Sequence, residues 1–160
     1  RSSAIILYDF CKALHIPVTV YGHSTSGSSV ELYSYAEFES IDNDDKYRMM
    51  DIAARGSNRD GAALRFVAEQ LVKRREEGKI LILVSDGQPA APGYYGSAAE
   101  EDLRGIKQEY RRKGVLFIAA AIGEDKQNIE RIYGDSFMDI TDLNQLPVKL
   151  TAAVKRHMRV

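Results

Sequence analysis

Hydrophobic positions along the chain follow two patterns, a helical spacing and short continuous apolar runs. Residues 80–84 and 115–122 are continuous runs closely followed by glycine, which is typical of strands buried on both faces of a parallel sheet. Shorter runs of β-branched and aromatic residues predict further strands over residues 18–21, 30–38 and 137–140. Apolar residues three and four positions apart predict helices over residues 2–14, 61–77, 98–113, 126–133 and 143–157. The acidic cluster over residues 42–45 predicts the start of a further short helix through Met49, Met50 and Ile52.

Helices and strands alternate along most of the chain, which predicts the α/β fold class. We expect a mostly parallel central sheet with helices on both faces. The strand over residues 30–38 follows the short polar loop over residues 22–29, so we expect it to be antiparallel to its predecessor. A chain of 160 residues and 17.9 kDa fits one domain, residues 1–160.

Composition narrows the class of protein. The chain is 44% hydrophobic and 28% charged, as in an ordinary globular domain, and its net charge of -1 gives no reason to expect binding to nucleic acid. No apolar run is long enough to span a membrane. Cys11 is the only cysteine, so an internal disulfide is impossible and a cytoplasmic location is favoured. The start at Arg1, without an initiator methionine or signal peptide, suggests a fragment of a longer protein.

The first candidate for chemistry is Ser85-Asp86-Gly87, which directly follows the apolar run of residues 80–84. In open α/β sheets, ligands bind outside the carboxyl ends of the strands, and Asp86 lies at such an end. A carboxylate between a small hydroxyl and a flexible glycine is placed to face a metal ion or a phosphate. The local alternative is a turn in which Asp86 caps the next element.

A second polar loop, Ser57-Asn58-Arg59-Asp60-Gly61, directly precedes a long predicted helix. Its simplest interpretation is an N-cap, which suits Asn58 or Asp60. The functional alternative is that the loop presents an oxygen ligand beside Asp86. Serine, asparagine and aspartate oxygens suit a hard cation such as Mg²⁺. Neither motif is specific alone, and only the pair supports a metal-site hypothesis.

Residues 80–89, with the loop, helix and strand that follow them, resemble a von Willebrand factor A (VWA) domain. The helix start Gly61-Ala62-Ala63-Leu64 is similar to the family's Gly-x-Ala-Leu. The resemblance implies a Rossmann-like fold and a metal-ion-dependent adhesion site for Mg²⁺ or Mn²⁺. It implies Asp86 as a ligand with Ser85 beside it, and Asn58 at the position of the family's threonine. Ser57 and Asp60 compete for that position if the loop length differs.

More narrowly, the chain resembles one bacterial subgroup through Tyr21-Gly22-His23, the Asn58-Arg59-Asp60-Gly61 loop and residues 85–89. This subgroup comprises the large VWA subunit of aerobic cobaltochelatase and the nitric-oxide-reductase activation protein. The resemblance implies a non-enzymatic, metal-ion-dependent protein-binding module. Its partners would be a MoxR-type AAA+ ATPase and a client metalloenzyme or chelatase subunit, in cobalamin biosynthesis or metalloenzyme activation.

One departure from the family pattern bears on the site. The family's first, central strand carries Asp-x-Ser-x-Ser, and no such motif occurs in this chain. Either the fragment begins after the motif or the motif was lost, and the helical start at Ser2 favours the former. Family strand order would place the missing strand between residues 18–21 and 80–84. We therefore expect a metal site that is at most half formed. We also expect a sheet that is gapped, rearranged or completed by another chain, and exposed sheet edges would allow a homodimer.

Two alternative functions stay open at this stage. The first is a phosphate- or nucleotide-handling α/β enzyme that uses Asp86, although the chain has no phosphate-binding glycine motif and no nucleophile elbow. No paired base and nucleophile occurs either, so no catalytic residue is assigned. The second alternative is an extracellular VWA adhesion domain, which fits the fold but not the absence of a disulfide.

Overall fold

The computed structural model of the chain describes residues 2–13, 15–26, 29–38, 60–85, 95–121 and 126–158. The chain divides into two compact units, Arg1–Ser57 and Asn58–Val160. The first unit holds a helix and a β-hairpin, and the second holds a parallel sheet with its helices.

In the first unit, a helix precedes a two-stranded hairpin. The helix α1 spans Ser2–Ala13, and the strands β1 and β2 span Val20–Ser26 and Ser29–Ala36. The strands pair in antiparallel fashion, as the sequence predicts. The hairpin is stabilised by a small aromatic cluster with α1, formed by Tyr8, Tyr35 and Ala36 with Val18, Val20 and Tyr33 packed against them.

The strand β1 is longer than the sequence predicts. The glycine, serine and threonine residues after Tyr21 predict a loop, yet β1 continues to Ser26. The loop prediction was wrong over residues 22–26 because cross-strand packing outweighs the low intrinsic strand preference of these residues. A Cβ atom on residue 22 would lie 2.8 Å from Cε2 of Tyr35. Any side chain at position 22 would therefore require the Tyr35 ring to move.

The second unit has a parallel three-stranded sheet in the order β3-β4-β5, which confirms the predicted parallel sheet. Its elements are α2 (Asp60–Val72), β3 (Lys79–Ser85), α3 (Gly96–Arg112), β4 (Val115–Ala121), α4 (Lys126–Tyr133), β5 (Phe137–Asp139) and α5 (Leu146–Met158). Short 3-10 turns, Gly134–Ser136 and Leu143–Gln145, precede β5 and α5. None of the described helices combines the length and the apolar character that crossing a bilayer requires.

One face of the parallel sheet carries the main hydrophobic core. Alternate residues of β3 and β4 point to this face, where they pack against α2, α3 and α4. The buried residues of this core are Leu64, Ala68, Leu81, Leu83, Leu103, Ile106, Tyr110, Val115, Phe117, Ala119, Ala121, Ile129, Ile132 and Tyr133. Ile118 and Ala120, on the opposite face of β4, are buried as well. Burial on both faces explains the continuous apolar run of this strand.

Two helix boundaries differ from the predicted ones by three residues or more. The helix α2 ends at Val72 rather than at residue 77, and the Arg74 guanidinium then pairs with Glu76 at 2.7 Å. The charged residues after Val72 contribute no side chain to the core. Core packing therefore does not extend the helix beyond Val72. The helix α5 begins at Leu146 instead of residue 143, with Pro147 in its first turn, where proline is tolerated.

The described strands form two separate sheets, β1-β2 and β3-β4-β5. The gap predicted at the position of the family's first strand stays a prediction. The helix predicted over residues 49–52 and most of the polar loop before α2 lie outside the described residues.

Candidate functional site

The carboxyl ends of the three parallel strands form one edge of the sheet. Ser85 of β3 is paired with Ala121 of β4, and Ala121 is paired with Asp139 of β5. These last strand residues therefore lie in one row across the sheet. Two strand spacings separate Ser85 from Asp139, which is about 10 Å between their Cα atoms. This row is the edge at which open α/β sheets bind their ligands.

Two of the five predicted site residues lie in described elements of the structure. Ser85 is the last residue of β3, and Asp60 is the first residue of α2. Asp86 directly follows Ser85 in the chain but lies outside the described residues, as do Ser57 and Asn58. The expected position of Ser85 at a strand end is confirmed, and the ligand set stays a prediction.

The helix α2, which begins at the predicted loop, is anchored to α3 by two polar contacts. Arg65 donates from both terminal nitrogens to Asp102 Oδ1, at 3.0 and 2.9 Å. The hydroxyl of Tyr110 donates to Glu69 Oε1 at 2.6 Å, and the Tyr110 ring is buried. Burial, aided by this hydrogen bond, raises the pKa of Tyr110 to about 12. These contacts hold α2 on α3.

A hydrogen-bonded cluster lies around Asp139 at the same edge of the sheet. Asp139 Oδ1 accepts hydrogen bonds from the backbone N–H of Thr141 at 2.9 Å and from its hydroxyl at 2.6 Å. Asp139 Oδ2 accepts from the Lys126 ammonium at 3.1 Å, and the Asp139 carbonyl accepts from Lys149 at 2.5 Å. The cluster thus joins the end of β5 to α4, which begins at Lys126, and to α5.

This environment favours the ionised form of Asp139. The hydrogen bonds from Thr141, and then the contact with the Lys126 ammonium, hold the pKa of Asp139 well below its usual range. The carboxylate therefore stays charged even in mildly acidic solution, and donors of the chain itself contact both of its oxygens. In this state Asp139 fixes the ends of three elements rather than presenting an open metal ligand.

Asp139, Thr141 and Lys126 were not among the predicted site residues. The sequence signal that could have identified Asp139 is the one that identified Asp86, a carboxylate at the end of a predicted parallel strand. The strand predicted over residues 137–140 ends one residue earlier, at Asp139, which places that carboxylate at the edge. Among the described residues, no group of three or more histidine, cysteine or acidic side chains could hold a metal ion.

Two solved structures share this fold. The structure of proximal thread matrix protein 1 from the mussel byssus has a TM-score of 0.61, is 20% identical and covers 96% of this chain and 40% of its own. A second structure of that protein, described as having a zinc-occupied MIDAS motif, has a TM-score of 0.58 and the same identity. At this level of identity the likeness shows the fold alone.

Relatives at higher identity are bacterial. Uncharacterized protein YojO of Bacillus subtilis is 31% identical over 114 residues, and Protein NorD of Brucella suis is 33% identical over 95 residues. The matches cover 68% and 58% of this chain. They cover only 18% and 15% of the relatives, so the chain corresponds to a small part of each.

The family described as the VWA domain of the cobalamin biosynthesis protein CobT matches residues 43–158. This match takes in α2, all three parallel strands and the helices between and after them. The parallel sheet, its row of strand ends and the similarity to NorD agree with it. The chain is a member of the CobT VWA domain family, with a Rossmann-like VWA fold.

Proposed function

We propose that the chain is a non-enzymatic protein-binding module that holds a divalent cation at the carboxyl edge of its parallel sheet. The main support is the family match over residues 43–158, together with the position of Ser85. Ser85 ends β3 in the row with Ala121 and Asp139, and Asp86 is the next residue of the chain.

The donors assigned to the cation are all oxygens, which suits Mg²⁺ or Mn²⁺. Asp86 contributes a charged oxygen, with Ser85 beside it, and Asn58 contributes a neutral one, with Ser57 and Asp60 as alternatives in the same loop. The bound cation would supply a positive charge that a carboxylate of the partner can neutralise. The role of this chain's own residues is to hold that charge at an exposed edge, and no bond is made or broken.

The proposed setting is a cytoplasmic complex with a MoxR-type AAA+ ATPase. Its client would be a chelatase subunit in cobalamin biosynthesis or a metalloenzyme that is activated. The name of the matching family and the similarity to NorD support this setting. In this proposal the module transmits the motion of the ATPase ring to the client, and the metal site is the contact point.

Calorimetric titration with Mg²⁺, Mn²⁺ and Zn²⁺ tests the metal site. The chain would be compared with a natural version extended upstream by about 30 residues, roughly one strand and one helix. We expect the extended version to bind and the Asp86→Ala variant of it to lose binding. Asp142→Ala, which removes an exposed carboxylate near the same edge, should keep it. The metal-site proposal fails if the extended version does not bind or if Asp86→Ala binds normally.

Binding to a purified MoxR-type ring tests the partner. We expect the extended version to bind the ring, and chelation of divalent cations or the Asp86→Ala substitution to abolish that binding. If the ring binds equally well with and without the cation, the ring contact lies elsewhere on the domain. If metal binds but no ring does, the partner proposal alone is wrong.

A further inference from the structure

We draw no further inference here: the strongest candidate, the surface cluster of exposed cations Lys73, Arg75 and Arg112 at the amino edge of the parallel sheet, where α2 and α3 end, carries nothing, because cations at these helix ends offset the helix dipoles and nothing in the described part of the chain shows what covers this surface.

Discussion

Two glycines differ in how much space an added side chain would have. Gly22 lies against the ring of Tyr35, whereas the space around Gly105, in the middle of α3, is open. We expect Gly22→Ala to lower the free energy of unfolding by about 1–3 kcal/mol, since the new methyl group displaces the ring. Gly105→Ala should raise it by about 0.5–1 kcal/mol because alanine is the better helix former. Urea denaturation of both variants measures the two signs, and equal effects would contradict this account.

Lys107 is a second position at which one side chain carries several contacts. Its ammonium donates to the Tyr133 carbonyl at 2.6 Å and to Asp135 Oδ1 at 2.7 Å, and only 12% of the side chain is exposed. We expect Lys107→Met to lower the free energy of unfolding by about 1–3 kcal/mol, since it leaves the end of α4 without its donor. The exposed Lys155, also replaced by methionine, serves as the control.

The same substitution has a spectroscopic consequence. The hydrogen bond from Lys107 is the main cause that holds the pKa of Asp135 below its ordinary value. An NMR titration of the Lys107→Met variant should therefore show the Asp135 pKa rising towards that of a free aspartate. An unchanged Asp135 pKa would mean that Arg111, which also contacts this carboxylate, is sufficient to hold it.

At the scale of elements, the contact between α2 and α3 should make stability depend on pH in alkaline solution. The pKa of Tyr110 is about 12 in the folded chain, against about 10 for a free tyrosine. The unfolded chain therefore loses this proton first as the pH rises. The stability that the Tyr110–Glu69 hydrogen bond contributes is complete below pH 10 and is lost between about pH 10 and 12.

Comparison with Tyr110→Phe isolates this effect, because lysine titration is common to both proteins. We expect the stability difference between the parent chain and Tyr110→Phe to be constant up to about pH 10 and to shrink above it. Denaturation at a series of pH values measures the difference. A difference that stays constant up to pH 12 would show that the hydroxyl proton does not contribute to holding α2 on α3.

The elements themselves were predictable where burial alone determines them. The continuous apolar runs of β3 and β4 identified both strands, because each carries apolar residues on both faces. The strand β1 was predicted too short because it continues to Ser26 by pairing with β2, a separate segment of the chain. Local sequence carries no signal for a contact of this kind. The helix α2 was predicted too long. The charged residues after Val72 favour helix, but they make no core contact that would keep them in it.

The candidate site also has one part that the sequence predicts and one part that depends on the fold of the whole molecule. The edge of the sheet could be predicted because parallel strands all end on one side, and Ser85 lies where this rule places it. The Asp139 cluster could not be predicted in detail, since Lys126 and Lys149 reach it from helices that only the fold brings together. The choice among Ser57, Asn58 and Asp60 as ligand likewise depends on the conformation of one loop rather than on residue type.

The whole molecule consists of two units with unequal cores, and we expect this inequality to govern folding. The described core of Asn58–Val160 combines a parallel sheet with three helices, whereas that of Arg1–Ser57 is one hairpin and one helix. A two-stranded hairpin is marginally stable at best in water, even with a small cluster beneath it. Expressed alone, residues 58–160 should unfold cooperatively in urea, while residues 1–57 should show no cooperative transition. A cooperative transition in the shorter piece would mean that its small core is sufficient for folding, and the absence of one in the longer piece would mean that residues 58–160 need residues 1–57 to fold.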